Sequence, residues 1–180
     1  MIDDPRNLLF KEFVTIVENK QPKVFIMENV EGLLSMNNGR TYESIIECFS
    51  NVGYKVRGHK LNAAEYGVPQ KRKRVIIIGV RDDVARNRLG ITSNEETNLM
   101  DKLFPIRKFK DYSEKENTFN LDDKQDFVTV KESINDLPRL ENGTLGEMIM
   151  DQDKLPNSLY QLLMKNLITF EEFVKLRNEI

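Results

Sequence analysis

Two clusters of polar residues border on apolar runs. Val24-Phe25-Ile26-Met27 leads straight into Glu28-Asn29, and Gln70-Lys71-Arg72-Lys73-Arg74 leads into Val75-Ile76-Ile77-Ile78-Gly79-Val80. A continuous apolar run of this length fits a strand buried on both faces. A charge at the mouth of such a strand must be solvated, paired or used. If the second strand begins near Arg72, then Gln70, Arg72 and Arg74 project to one side. Arg74 then lies next to core, where an unpaired guanidinium is costly. A carboxylate at a neighbouring strand end is its natural partner, so Glu28 and Arg74 are expected to pair. The plainer alternatives are a partly exposed strand end and a solvated basic turn.

The elements that position these residues follow from local pattern. Pro5 suits the first turn of a helix capped by Asp3 or Asp4. Leu9, Phe13, Ile16 and Val17 recur at helical spacing as far as about Asn19. Gln21-Pro22 ends that helix. Ser35 to Arg40, with Asn37-Asn38-Gly39, reads as a loop. Thr41 can cap a second helix that carries Ile45, Cys48, Phe49 and Val52 on one face and stops at Gly53. Tyr54 to Leu61 and Arg74 to Val80 read as strands, the latter rich in β-branched residues. Helix, strand, helix, strand, strand makes half of an open α/β sheet, whose ligands gather at the carboxyl ends of strands. Beyond residue 81 the pattern weakens, with a short helix expected near Asn94 to Leu103. An extended entry and a helical turn are expected over Val128 to Leu137, closed by Pro138. Two short helices are expected over residues 155–180, the second capped at Thr169.

Composition describes a polar globular protein: 180 residues, 39% hydrophobic and 31% charged. The net charge of −2 hides an asymmetry. Residues 1–90 carry 15 basic against 11 acidic residues, and residues 91–180 carry 12 against 18. A polyanion partner would be drawn to the first half, while charge alone reads more plainly as two solvated surfaces. Cys48 is the single cysteine and His59 the single histidine. That excludes an internal disulfide framework and a zinc site built on paired cysteines. Cys48 is expected to be a buried structural thiol on its helix. His59 is expected to be a surface or strand residue with no partner pattern around it. No apolar run is long enough to span a membrane.

The stretch DDPRNLLFKEFVTIVENKQPKVFIMENVEGLLS, followed by LNAAEYGVPQKRKRVIIIGVR, closely resembles the C5-cytosine-specific DNA methyltransferases. Two signature motifs carry the resemblance: Glu28-Asn29-Val30, and the Q-x-R-x-R pattern at Gln70, Arg72 and Arg74. Residues 3–81 match strongly, and Val128 to Pro138 is similar to the segment leading into the family's target-recognition region. The resemblance implies an α/β fold: part of the S-adenosylmethionine-dependent methyltransferase (Rossmann-like) sheet with its first strands missing, followed by an irregular and helical region. It implies the second half of a catalytic core over 1–82, a connecting region over 83–127, and the start of target recognition over 128–180.

In that family a thiolate adds to C6 of cytosine, which makes C5 nucleophilic. By resemblance, Glu28 accepts from the exocyclic amine and, when protonated, donates to N3. Arg74 approaches the O2 of cytosine and steadies Glu28. Arg72 belongs to the same pocket or to the phosphate beside it. Asn29 shapes the turn behind the strand, and Gln70 orders its loop. Leu9 either touches S-adenosyl-L-methionine, the methyl donor, or is a core leucine of the first helix. Arg6, Lys71 and Lys73 are candidates for DNA phosphate contacts. The base must be flipped out of double-stranded DNA to reach such a pocket.

The family's glycine-rich cofactor motif and the Pro-Cys motif bearing the nucleophile are not found in these 180 residues. The sequence thus reads as a central slice of a methyltransferase or as one subunit of a split one. It is expected to be inactive alone and to need an N-terminal half or a complementary subunit. An exposed sheet edge makes a homodimer a further expectation. A non-catalytic interaction subunit and an RNA cytosine methyltransferase remain as alternatives. The resemblance points to a cytoplasmic protein of a bacterial or phage restriction-modification system.

Overall fold

The computed structural model describes residues 9–93, 95–110, 125–135 and 156–179. They fall into two compact units. The first is built from residues up to Leu61 together with Lys73–Ile106. The second is built from Asn62–Arg72 and residues from Arg107 onward.

In the first unit, α1 (Leu9–Lys20), β1 (Val24–Val30), α2 (Arg40–Asn51), β2 (Tyr54–Asn62) and β3 (Lys73–Arg81) follow the expected order. The sheet order is β1-β3-β2, with β3 antiparallel to β1. One face carries α1 and α2. Phe25, Phe49, Tyr54, Val56, Val75 and Ile77 are buried there, with Phe13 packed against them. The rings of Phe25 and Phe49 lie 4.3 Å apart, and Phe13 meets both edge-on. Phe25 faces Gly79 across the ladder. A Cβ on Gly79 would lie 2.0 Å from the Phe25 ring, so only glycine lets that ring lie flat on β3.

On the other face, α3 (Asp82–Val84) and the turns that follow it bring Ala85, Ile91 and Met100 against Ile78 and Val80. β3 is therefore covered on both faces, as its apolar run predicts. β1 is not. Val24, Ile26 and Val30 are 48%, 64% and 52% exposed, and burial alternates along the strand. The expectation of burial on both faces fails for β1 because the cover from residues 85–104 reaches only its neighbour.

Boundaries shift in places. The 35–40 loop holds a 3-10 turn, Met36–Gly39, with Asn37 and Asn38 in the left-handed region, and a second such turn, Glu31–Leu34, precedes it. Gly39, at φ 87, occupies the N-cap of α2, so Thr41 lies inside the helix and does not cap it. Ile16 is 56% exposed and is not part of the core stripe of α1. The start of α1 around Pro5, and Pro138, lie outside the described residues.

The second unit contains the 3-10 turn Ala63–Tyr66 and the two-residue strands β4 (Phe109–Lys110) and β5 (Gln125–Asp126), which pair in parallel. It also holds α4 (Val130–Ile134), α5 (Leu159–Met164) and α6 (Phe170–Asn178). Phe109, Val128 and Phe173 form its core. Thr129 opens α4 and Thr169 opens α6, each with a complete capping box closed by Glu132 and Glu172. The helix near Asn94 to Leu103 is realised as a 3-10 segment, Glu95–Leu103, in the first unit.

Candidate active site around Glu28 and Arg74

β1 continues two residues beyond Glu28. Glu28 stands opposite Ile76, and Val30 stands opposite Arg74. Glu28 and Arg74 are therefore diagonal neighbours on one face of an antiparallel pair, within reach of long side chains. Arg74 Nε lies 2.7 Å from Glu28 Oε1. Arg74 Nη1 also donates to the Lys73 carbonyl at 2.8 Å, which fixes the guanidinium. The Arg74 side chain is 27% exposed and that of Glu28 is 54% exposed. The arginine is thus the sheltered partner, while the carboxylate stands open to the space beside it. The pairing expected from sequence is present.

That space is a cavity of about 730 Å³ along β1, lined by Leu9, Phe10, Phe13 and Leu33 together with the strand residues from Ile26 to Val30. Among the described lining residues Glu28 is the single carboxylate. Asn29 also lines it, and its Oδ1 accepts from the Val30 N–H at 2.8 Å. Its amide oxygen is turned to its own backbone. Leu9 is 63% exposed on the cavity wall, so it is not a core leucine here.

The other candidates are placed differently. β3 begins at Lys73, so Gln70 and Arg72 precede the strand and do not share its alternation. Both are exposed and belong to the second unit. The Gln70 N–H donates to the Val68 carbonyl at 2.7 Å. The Arg72 N–H donates to Asn62 Oδ1 at 3.2 Å, and the Arg72 carbonyl accepts from the Ala63 N–H at 3.0 Å. Asn62, 6% exposed, also accepts from the Ala64 N–H. One buried amide thus closes the 62–72 loop. Its role was not legible, because an asparagine at the end of a strand reads as an ordinary turn former. Lys71 Nζ stands 6.0 Å from the centroid of the Phe127 ring. Lys73 is half-buried at the start of β3, and Arg6 lies outside the described residues.

Cys48 is half-buried on α2 and does not line the cavity. His59 does have a partner: its Nε2 lies 2.8 Å from Asp101 Oδ1, and its ring meets Phe104 edge-on at 4.4 Å. Arg57 binds both oxygens of the same carboxylate, at 2.7 and 3.3 Å. The Arg57 hydrogen bond, followed by that of His59, holds Asp101 below the usual carboxylate range. Sequence spacing could not reveal this cluster, because Asp101 comes from a segment without periodicity. Phe10 and Met36, which no sequence motif marks, also line the cavity, as does Thr41. Among the described residues no group of histidine, cysteine, aspartate and glutamate side chains is placed to hold a metal ion. No helix among them is long and apolar enough to cross a membrane.

Comparison with known proteins bears on the family and the fold. The family model for C-5 cytosine-specific DNA methylases matches residues 1–171. Type II methyltransferase M.DdeI of Desulfomicrobium norvegicum is 39% identical over 165 residues, which cover 90% of this chain and 34% of that protein. Type II methyltransferase M1.HphI of Haemophilus parahaemolyticus is 55% identical over 80 residues, 44% of this chain and 22% of that protein. The crystal structure of a candidate DNA modification methyltransferase encoded within an E. coli prophage shares the fold. Its TM-score is 0.57 at 24% identity, over 98% of this chain and 45% of that one. The chain thus spans about a third or less of the curated relatives it matches. With its Glu28–Arg74 pair set in the expected strands and the family model matching nearly its whole length, the chain belongs to the C-5 cytosine-specific DNA methylase family.

Proposed function

We propose that this chain supplies the cytosine-holding part of a DNA (cytosine-5-)-methyltransferase of a restriction-modification system. The observation that carries this is Arg74 Nε at 2.7 Å from Glu28 Oε1, beside the open cavity. The arginine is fixed at two points and leaves the second carboxylate oxygen available. A flipped cytosine presents an amine, a ring nitrogen and a carbonyl on one edge. Glu28 accepts from the amine and, when protonated, donates to N3, while Arg74 serves O2. Charge that develops on the ring as a thiolate adds at C6 is stabilised by the same two groups. Cys48 does not line that cavity, and in this reading the thiolate is supplied by a polypeptide that bears the Pro-Cys motif. Arg72 and Gln70 serve the loop before β3 and the phosphate beside the base. Lys71 and Lys73, with Arg6, face the DNA backbone, and residues from 128 onward begin the target-recognition region.

S-adenosylmethionine supplies the methyl group in this family. Leu9 and Phe10 offer an apolar wall of the kind an adenine ring rests on. In this reading that wall is the share of the donor site that the described residues supply. A second part follows from β1. Among the described strands it pairs only with β3, so its other edge is free, and Ile26 and Val30 are exposed on one of its faces. That edge is suited to take a further strand, from an N-terminal half, a complementary subunit or a second copy.

The test is single-turnover methylation of a cytosine-containing duplex by this chain recombined with a polypeptide bearing the Pro-Cys and glycine-rich motifs. The chain alone should transfer no methyl group. The recombined enzyme should, and Glu28→Gln should slow it on the order of a hundredfold, about 3 kcal/mol in the transition state, with DNA binding nearly intact. A Glu28→Gln rate equal to the parent would make the carboxylate structural and overturn the reading. Light scattering that shows a clean monomer at high concentration would count against association through β1.

A further inference from the structure

Charge in the second unit is unevenly placed. The loop 62–72 and residues 107–109 carry Lys71, Arg72, Arg107 and Lys108 against one carboxylate, Glu65. Those two segments are bound together. The Lys108 N–H donates to the Glu65 carbonyl at 3.1 Å, and Arg107 Nε lies 3.3 Å from Glu65 Oε2. Phe109, 1% exposed, packs under Gly67, where a Cβ would meet its ring at 3.0 Å. The single acid of the platform is therefore already engaged by Arg107. The backbone beneath Lys108 is anchored on one side by a hydrogen bond and on the other by a buried ring.

Lys108 itself is exposed, and its Nζ stands 5.4 Å from the centroid of the Phe170 ring. No carboxylate among the described residues lies within ion-pair distance of it. A ring under an ammonium restricts the flexible stem and leaves the outward N–H donors unsatisfied by protein. A cation held in this way loses little further freedom when it meets an anion. Arg72 is another exposed cation of the platform, its backbone clasped by Asn62 and Ala63. Exposed cations on two segments bound together match a repeating anion better than a lone one.

We propose that Lys108, on its Phe170 support, is a phosphate-contacting residue for duplex DNA, working from the same platform as Arg72. The inference rests on the DNA-modifying reading above and adds a residue that no motif contains. A lysine at this contact positions the backbone and carries no sequence information. Its loss should weaken all duplexes alike.

The experiment is equilibrium binding of the full chain to a labelled cytosine-containing duplex, by fluorescence anisotropy at several salt concentrations. Each phosphate contact contributes about 0.9 to the slope of log affinity against log salt. Lys108→Gln should reduce that slope by about one and weaken binding at low salt several-fold. Phe170→Leu keeps the charge and should weaken binding less, with the slope unchanged. Lys175→Gln, on exposed α6, removes equal charge and should leave the slope as it is. A parental slope in Lys108→Gln would overturn the inference and leave the cytosine-pocket reading standing. Equal slope losses in Lys108→Gln and Lys175→Gln would also overturn it, by showing that net charge alone is read. No duplex binding by the parent chain at low salt would overturn this inference. Glu28→Gln in the recombined enzyme would still decide the pocket separately.

Discussion

The first unit holds two arginine–carboxylate sites, and they are built to opposite ends. Asp101 receives Arg57 on both oxygens and His59 on one, with Phe104 packed on the imidazole. Both oxygens are engaged, and these hydrogen bonds favour the charged form of the carboxylate. Glu28 receives Arg74 at one oxygen and is otherwise turned to a cavity. A saturated carboxylate fastens the 95–103 segment to β2. A half-saturated one beside open space keeps capacity for a ligand. Ion-pair distance is the same 2.7 Å in both, so distance alone does not separate a fastener from a site. What separates them is the number of donors and what occupies the remaining side.

The largest effect that would break this comparison is on rate. In the recombined enzyme, Arg74→Ala should lower single-turnover methylation on the order of a hundredfold, about 3 kcal/mol. Combined with Glu28→Gln it should cost little more than either change alone, because the two act as one unit. Arg57→Ala should leave the rate within a few-fold of the parent. If Arg57→Ala matched Arg74→Ala in rate, the distinction between the two sites would be lost.

A somewhat smaller effect falls on stability. The register that sets Glu28 diagonal to Arg74 includes Phe25 over Gly79, where an added Cβ would lie 2.0 Å from a ring already packed by Phe13, Phe49 and Tyr54. Gly79→Ala should therefore destabilise the first unit by about 1–3 kcal/mol, as overpacking of a tight core does. Urea unfolding followed by the Tyr54 signal measures it. A neutral result would mean that the ring has room to shift.

Smaller still is the cost of loosening Asp101. Its carboxyl titrates below the usual range when folded, so its contribution is present above the unfolded value of about 3.9 and is lost as pH falls through the folded value. The side chain is 44% exposed, and solvent screens it. Asp101→Asn should cost about 1 kcal/mol or less near neutral pH, and the difference from the parent should begin to shrink below about pH 4 and vanish only once the pH is below the folded value. Hydrogen exchange of the amides in 95–103 reads this directly. A difference that persisted in acid would assign the cost to packing. The smallest effect is expected for Lys60→Ala, which removes an exposed pair to Glu31 at 3.1 Å. A stability change within about 0.5 kcal/mol is expected in thermal unfolding.

Much of the core and part of the site were legible in the residues. The helical spacing of Phe13 and Val17, the β-branched run of β3 and the glycine after α2 each act within a few residues, and each stands where local pattern puts it. The Glu28–Arg74 pairing was also legible, because a guanidinium beside a core demands a carboxylate and few are placed to serve. Less was legible where a partner comes from far along the chain. His59 has no local signal for Asp101, and Lys108 has none for Phe170. Burial of β1 was misjudged for the same reason: its composition calls for cover on both faces, but cover is supplied by other segments.

By themselves, then, the residues determined which stretches form strands and helices, that Glu28 and Arg74 suit one another, and to which family the two motifs point. Those are consequences of side-chain type and of spacing along the backbone, which the chain carries wherever it is. Tertiary structure alone decided the register that makes Glu28 and Arg74 diagonal neighbours. It also left one oxygen of Glu28 facing a cavity while both oxygens of Asp101 are engaged. Register and donor count depend on which distant segments meet, and hydrogen bonds and packing between such segments are set only when the sheet closes.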